Sequence, residues 1–161
     1  MTTNTLPFLI HVCACLRQAH LDVCLFGGWA EEVWGLAPPR SHGDIDLLYP
    51  AAHFGALDRW IAMTPQVTEI HAKRFRHKRA VMYHAVMIEW LLVERQGGQS
   101  ITRFWDGRHT FVWPPGPLAS VVVVERQPLN VARPEMLHAY HQAYDQREQA
   151  YYAYLREQRH R

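Results

Sequence analysis

Two glycines followed further along the chain by two aspartates are the residues with the clearest chemical meaning in this sequence. Gly27-Gly28 ends a short apolar run, and Asp44-Ile45-Asp46 begins another. In a strand, alternate side chains share a face, so both carboxylates point the same way and Ile45 points the other. Two carboxylates on one face repel each other unless a cation lies between them, and hard oxygen ligands suit Mg²⁺. The pattern predicts a magnesium site, with two ions in the arrangement that aligns an attacking hydroxyl and supports a leaving pyrophosphate.

Gly27 and Gly28 are predicted to hold the phosphates of a nucleotide. A strand that runs into a glycine pair and then into a helix leaves backbone N–H groups free at the helix N-terminus, where the helix dipole also favours anions. A tight turn without any ligand has the same local sequence. The downstream aspartates therefore favour the phosphate interpretation.

Glu89 is the best candidate for a third carboxylate ligand. It lies in the stretch from Val86 to Val93, whose other residues are apolar, and a strand that is apolar on both faces is typically buried on both. An unpaired carboxylate there would be costly, so a cation must offset its burial. That cation is either a metal ion or a basic side chain such as Arg79. Glu94, at the exit of the strand, is the weaker alternative.

Apolar periodicity predicts an α+β fold, with a small mixed sheet flanked by helices. At 161 residues the chain is most simply one domain, with helices from about residue 134 packing on the sheet. The predicted helices cover residues 5–19, 29–34 and 52–63, a stretch that begins near Pro134, and residues 147–158. The predicted strands cover residues 23–26, 44–49, 66–71, 73–85, 86–94, 110–113 and 121–124.

The segment from residue 21 to residue 50 also carries a family resemblance. Gly27-Gly28-Trp29-Ala30, followed by Arg40-Ser41-His42-Gly43-Asp44-Ile45-Asp46, resembles the signature of the nucleotidyltransferase superfamily, which has the polymerase-β-like fold. Within it, the segment is similar to the small aminoglycoside 2''-adenylyltransferases and lincosamide nucleotidyltransferases. The resemblance implies a third carboxylate on the strand beside Asp44–Asp46, where many relatives have Asp and this chain has Glu89.

Three polar residues around the motif have candidate roles. Arg40 could hold a phosphate in bidentate fashion, and His42 could do so more weakly or simply order the loop. Glu32 is at the position where the antibiotic-modifying relatives commonly carry Asp. It could contact a cationic acceptor or cap local structure.

A basic run separates this chain from what an aminoglycoside enzyme should look like. The net charge is +2, and five of the 17 basic residues lie between Lys73 and Arg79. A polycationic acceptor would need an acidic pocket. The run is a solvated hairpin, a binding segment for ATP phosphates, or a surface for an anionic acceptor such as RNA. The charge pattern weighs less against lincosamides, which carry little charge.

Composition excludes several classes of protein. No apolar stretch approaches the length needed to cross a membrane, so no membrane-spanning segment is expected. The three cysteines lack metal-site spacing and are expected to be free thiols in a reducing cytoplasm.

Most tyrosines of the predicted C-terminal helices should pack in the core, with one or two available to line an acceptor or adenine pocket.

The sequence therefore predicts a magnesium-dependent nucleotidyltransferase. It would move AMP, or another nucleoside monophosphate, from Mg-NTP to a hydroxyl of a small molecule, with lincosamide or aminoglycoside antibiotics as one acceptor class. Asp44, Asp46 and Glu89 are the predicted catalytic and metal-binding residues, and Glu89 could take the proton of the acceptor hydroxyl. The alternatives are a non-catalytic nucleotide-binding protein and an RNA-modifying transferase of toxin type. A homodimer could complete the acceptor pocket.

Overall fold

A computed structural model describes residues 3–161 as a mixed β-sheet with helices packed against it. The helices are α1 (Leu6–Gln18), α2 (Gly27–Val33), α3 (Gly55–Met63), α4 (Pro134–Gln142) and α5 (Tyr144–Gln158), with a short 3-10 helix at His71–Lys73. The strands are β1 (Cys24–Phe26), β2 (Asp44–Pro50), β3 (Val67–Glu69), β4 (Lys78–Tyr83), β5 (Val86–Gln96), β6 (Gln99–Phe104), β7 (His109–Val112), β8 (Ala119–Val124) and β9 (Gln127–Ala132).

The main sheet has the strand order β3-β4-β5-β2-β1-β9-β8, and β6 and β7 extend it from the far end of β5. The β2–β5 and β1–β9 pairs are parallel, and the other pairs are antiparallel. The predicted fold class, α+β with a mixed sheet flanked by helices, is confirmed. The order places β2 in the middle of the sheet, between β1 and β5.

The core lies between the sheet and the helices. Leu9 and Leu16 of α1 are fully buried at helical spacing, and Thr5 caps this helix by accepting a hydrogen bond from the amide of Phe8. In β2 and β5 the fully buried residues include Ile45 and Trp90. Burial on both faces of these central strands explains their nearly continuous apolar sequence.

Two strands of the structure, β6 and β9, are absent from the sequence prediction. The sequence of β6 is mostly polar, and β9 contains Pro128 and Asn130, which disfavour strands. Both strands exist because neighbours pair with them: β6 lies between β5 and β7, and β9 lies between β1 and β8. The strand predicted over residues 73–85 is shorter and begins only at Lys78.

None of the helices described over residues 3–161 is both long enough and apolar enough to cross a membrane.

Cys13, Cys15 and Cys24 are free thiols, and burial raises the pKa of Cys13 and Cys24 to about 11.

Candidate active site

The three predicted carboxylates converge on one face of the central sheet. Strands β2 and β5 are parallel neighbours, and their register sets Asp46 directly opposite Glu89. Asp44 lies two residues before Asp46, so it projects from the same face. One oxygen of each carboxylate lies within 4.8 Å of an oxygen of each of the other two. The sheet order thus brings together residues that are far apart in the sequence.

This clustering is electrostatically costly, and the titration of Asp46 reflects the cost. Burial, and then the nearby charges of Asp44 and Glu89, raise the pKa of Asp46 to about 7. Burial and the charge of Glu89 also raise the pKa of Asp44. Three hard oxygen donors held together against their own repulsion fit a divalent cation such as Mg²⁺.

Glu89 also forms two ion pairs with lysines from the basic run. Its Oε1 accepts a hydrogen bond from Nζ of Lys73 at 2.6 Å, and its Oε2 lies 2.7 Å from Nζ of Lys78. Burial raises the pKa of Glu89, but the hydrogen bonds and charges of the two lysines outweigh burial, so the pKa is lowered overall. Of the two interpretations that the sequence left open, the ion pair is present, and it coexists with the carboxylate cluster.

The remaining cations of the basic run pair with carboxylates elsewhere. Arg74 contacts Glu69 and Asp58, and Arg79 donates to Asp58 from Nε at 2.8 Å. Arg76 lies 3.6 Å from Glu94, the residue that was the weaker candidate for the third carboxylate. Each cation of the run therefore contacts a carboxylate, and Lys73 and Lys78 are directed at the carboxylate cluster.

Gly27 is required by its contact with Asp46. Its φ of +64° lies in the left-handed region, and a Cβ at this position would collide with the Asp46 carboxylate. At Gly28, a Cβ would collide with the guanidinium of Arg40. The glycine pair therefore lets the carboxylate cluster and the loop before β2 approach the first turn of α2, whose amides have no intrahelical partners.

The loop before β2 is held by contacts among its own polar residues. His42 is buried, its ring stacks on Trp29 with centroids 4.1 Å apart, and its Nε2 lies 2.9 Å from Oε1 of Glu32. The same Glu32 oxygen accepts a hydrogen bond from the backbone amide of Arg40 at 3.0 Å. The Arg40 side chain is exposed and donates only to the carbonyl of Ser41 within residues 3–161.

These contacts favour one interpretation for each loop residue. His42 and Glu32 order the loop, and Glu32 does not line the large cavity beside the carboxylates. The Arg40 guanidinium is exposed next to Gly28, and its role in phosphate binding stays a prediction. The predicted roles of His42 in nucleotide binding and of Glu32 in acceptor binding stay predictions, and their contacts assign both side chains a local structural task.

Asn4 also positions the site, although no spacing pattern in the sequence points to it. Its Nδ2 donates to the carbonyl of Asp44 at 2.8 Å and to that of His42 at 3.2 Å. Its Oδ1 accepts from Nε1 of Trp29 at 3.1 Å. One side chain thus links α2 to the start of β2, which carries the aspartate pair.

A cavity of about 470 Å³ opens beside the carboxylates. Asp46 and Glu89 line it from the sheet, and α4 and α5 form the opposite wall. Most of the lining surface is apolar, and His77, Lys78, Arg147 and Glu148 are among its polar groups. The aromatic residues are Phe26, Trp90, Phe104, Trp105, Tyr140, Tyr144 and Tyr151. Three tyrosines of the C-terminal helices therefore line the cavity, where the sequence predicted one or two.

Comparison with models of known protein families shows which family this chain belongs to. The family model for aminoglycoside-2''-adenylyltransferase matches residues 8–152. The chain belongs to the aminoglycoside-2''-adenylyltransferase family. This membership confirms the resemblance drawn from residues 21–50 and extends it over most of the chain. None of the curated protein sequences matches the chain significantly.

Solved structures share the fold of this family member at low sequence identity. The lincosamide antibiotic adenylyltransferase LnuA, solved with lincomycin, is 14% identical, with 89% of each chain covered and a TM-score of 0.69. ANT(2'')-Ia, solved with adenylyl-2''-tobramycin, is 18% identical, with 86% of this chain and 76% of that chain covered and a TM-score of 0.56. A Thermotoga maritima protein, provisionally assigned as a nucleotidyltransferase, is 16% identical, with 96% of this chain and 94% of that chain covered and a TM-score of 0.60.

The carboxylate cluster of Asp44, Asp46 and Glu89 is consistent with membership of the aminoglycoside-2''-adenylyltransferase family. A carboxylate triad is typical of metal-dependent nucleotidyltransferases. The acceptor is a separate question, because solved structures at these identities share the fold alone.

Proposed function

We propose that the protein transfers AMP, or another nucleoside monophosphate, from Mg-NTP to a hydroxyl of a small molecule and releases pyrophosphate. The observation that carries this proposal is the convergence of Asp44, Asp46 and Glu89 beside Gly27, at the end of a cavity large enough for a small molecule. Family membership supports the same reaction class.

Asp44, Asp46 and Glu89 would hold the metal in this reaction. A bound Mg²⁺ pair would neutralise charge on the transferring phosphoryl group and support the leaving pyrophosphate. Of the three carboxylates, Asp46 has the pKa closest to neutrality, and Glu89 is the weaker base because Lys73 and Lys78 stabilise its charged form. We therefore assign Glu89 mainly to holding cations rather than to removing the proton of the acceptor.

The triphosphate would lie between the glycine pair and the lysines. Gly27 and Gly28 expose backbone amides, Arg40 offers an exposed guanidinium beside them, and Lys73 and Lys78 flank Glu89. An Mg-bound triphosphate placed here would give both lysines a second anion to share. This arrangement supports the ATP-phosphate interpretation of the basic run over a solvated hairpin.

The acceptor would occupy the aromatic cavity between the carboxylates and α5. The cavity is lined by the sheet and by α4 and α5. A homodimer that completes the acceptor pocket stays a prediction. Since α4 and α5 supply one wall, we also propose that residues 1–161 work as one domain. Lincosamide and aminoglycoside antibiotics are the acceptor classes suggested by the relatives of known structure.

The decisive experiment is incubation with labelled ATP and Mg²⁺ against a panel of lincosamides, aminoglycosides and tRNA. The expected result is a mass increase of one AMP on a small-molecule acceptor, together with release of pyrophosphate. The matched control is Asp46→Asn, which should show neither. Binding of MgATP without transfer to any member of the panel would instead favour a non-catalytic nucleotide-binding protein.

The RNA-modifying alternative depends on a free basic surface. The cations from Lys73 to Arg79 each contact a carboxylate, so a phosphate backbone would have to compete with these ion pairs. Labelled tRNA in the same panel tests this alternative directly. A salt-sensitive transfer to tRNA that is lost in the triple variant Lys73→Gln, Arg74→Gln, Arg76→Gln would support it.

A further inference from the structure

Arg147 is a buried cation that faces the cavity without a counter-anion. It lies on α5, only 9% of its surface is exposed, and it lines the same cavity as Asp46 and Glu89. Within residues 3–161 it forms no ion pair, and the single hydrogen bond that its guanidinium donates, from Nη1, goes to the carbonyl of Tyr140 at 2.5 Å. A guanidinium has five N–H donors, so most of them stay free.

Aromatic rings hold this guanidinium in place. It lies 3.4 Å from the centre of the Tyr140 ring and 5.8 Å from that of Phe104. Burial lowers the pKa of Arg147, although the group stays charged at neutral pH. A charged group that is stacked, buried and short of acceptors is ready for an anion from outside the chain.

Tyr140 connects Arg147 to the carboxylates. Burial raises the pKa of the Tyr140 hydroxyl, the charge of Arg147 lowers it, and the charges of Asp46 and Glu89 raise it further. The Tyr140 hydroxyl is therefore within electrostatic range of both the Arg147 cation and the carboxylates of Asp46 and Glu89. A small molecule bound over Tyr140 could present a hydroxyl to the carboxylates and an anionic group to Arg147.

The nucleotide phosphates have other cations available to them. Arg40 lies beside Gly28, and Lys73 and Lys78 contact Glu89, whereas Arg147 is on the wall formed by α5. Glu148 lines the same cavity, but it forms no ion pair with Arg147 in the part of the chain that the structure describes. The cavity thus has a buried cation on its helical wall.

From this geometry we propose that Arg147 binds an anionic group, a carboxylate or phosphate, carried by the acceptor. The acceptor class would be a hydroxylated, largely apolar or aromatic acid, unlike a polycationic aminoglycoside. This inference rests on the proposed function, because it assumes that the cavity holds the acceptor. The other source of the same chemistry is a phosphate of the nucleotide, and the experiment separates the two.

The test uses three ligands that share one aromatic ring and one hydroxyl: 4-(hydroxymethyl)benzoate, its neutral carboxamide, and the cationic 4-(aminomethyl)benzyl alcohol. Binding to the full chain is measured by calorimetry or ligand-observed NMR, with Mg²⁺ and a non-hydrolysable ATP analogue present. The carboxylate should bind about tenfold more tightly than the carboxamide, the scale expected for a hydrogen bond to a charged group. The cationic ligand should bind most weakly.

Variants at Arg147 then assign the preference to this side chain. Arg147→Gln should abolish the difference between carboxylate and carboxamide, and Arg147→Lys should keep part of it. Arg156→Gln is the matched control, because this exposed arginine lies on the same helix and does not line the cavity, and it should keep the preference. Equal binding of the three ligands to the unaltered protein, or tighter binding of the cation, would overturn the proposal without any variant having to fold.

Two further outcomes separate this proposal from its premise. If Arg147→Gln weakens binding of the ATP analogue and leaves the order of the three ligands unchanged, the anion belongs to the nucleotide and the proposal is wrong. If the carboxylate preference depends on Arg147 but no acceptor ever receives AMP, the anion site is supported and the proposed transferase activity fails.

Discussion

Asp46 and Glu89 face each other across the parallel pair β2–β5, and this register makes the carboxylate cluster possible. The two residues titrate in opposite directions: the pKa of Asp46 is raised to about 7, chiefly by burial, whereas two lysines lower that of Glu89. Two carboxylates on one patch of sheet thus have different partners. Glu89 forms ion pairs with two lysines, and Asp46 forms none within residues 3–161.

The first prediction concerns transfer by Asp46→Asn. The amide removes the charge with almost no change of shape, so the cluster would lose an anionic ligand and transfer should fall by at least about a hundredfold, the scale of lost electrostatic stabilisation in active sites. Initial rates of pyrophosphate release measure this loss. Asp22→Asn, a change at an exposed aspartate, is the control and should retain full activity. Comparable rates in both variants would contradict the site assignment.

The second prediction is that the same variant is more stable than the unaltered protein when Mg²⁺ is removed with a chelator. The folded pKa of Asp46 lies above its ordinary value of 3.8, so the folded state binds more protons than the unfolded state between about pH 4 and about pH 7. The unaltered protein should therefore lose stability as the pH rises through this window. The gap to Asp46→Asn should widen to at most about 4 kcal/mol.

Chemical denaturation at several pH values measures this gap in the free energy of unfolding. Comparing two proteins that differ at one residue cancels the contribution of His77, which burial holds neutral by lowering its pKa to about 3. Added Mg²⁺ should stabilise the unaltered protein more than the variant. A gap that stays constant from pH 4 to pH 8 would show that Asp46 does not titrate as described.

The third prediction concerns Gly27→Ala. The left-handed φ of +64° costs a residue with a Cβ about 1–2 kcal/mol, and the new methyl group would also displace the Asp46 carboxylate. Transfer and Mg²⁺ affinity should both fall. Gly35→Ala is the matched control, because its φ is +73° and a Cβ there would have no neighbour within 4 Å. Both variants should lose the stability that a left-handed alanine costs, Gly27→Ala should lose more because of the collision, and only Gly27→Ala should lose activity.

The fourth prediction concerns the lysines that contact Glu89. If Lys73 and Lys78 share the triphosphate, Lys73→Met and Lys78→Met should each weaken MgATP binding about tenfold, with a smaller effect on acceptor binding. Calorimetric titration with MgATP measures the change. Arg76→Met is the control, since its guanidinium is exposed and faces Glu94. Unchanged affinity in both lysine variants would limit these residues to a structural ion pair.

The fifth prediction concerns Asn4. Asn4→Ala removes the hydrogen bonds to the carbonyls of Asp44 and His42 and the acceptor for Trp29. The loss of these bonds should cost about 1–3 kcal/mol of stability and loosen the start of β2. Amide hydrogen exchange should rise first around residues 42–46. Thr5→Ala, which removes only the cap of α1, should lower stability without this local increase.

The sequence by itself determined the parts of this protein that depend on local pattern. Apolar periodicity was sufficient to predict the fold class, and the glycine pair followed by Asp44-Ile45-Asp46 was sufficient to predict the family. The apolar neighbours of Glu89 predicted the third carboxylate. These features are predictable from the sequence because side-chain alternation and glycine turns follow from the geometry of a few consecutive residues. The structure agrees with the prediction where elements are apolar and periodic.

Only the tertiary structure decided which distant side chains share the site. Lys78 reaches Glu89 because β4 lies beside β5, and Lys73 reaches it from the 3-10 helix before β4. Arg147 reaches the cavity because α5 packs against β6 and β7. Strands β6 and β9 also depend on their neighbours, which supply the hydrogen bonds that their own sequences do not favour. The physical reason is the same throughout: contacts between distant segments follow from the order and register of the strands, and local sequence does not encode either.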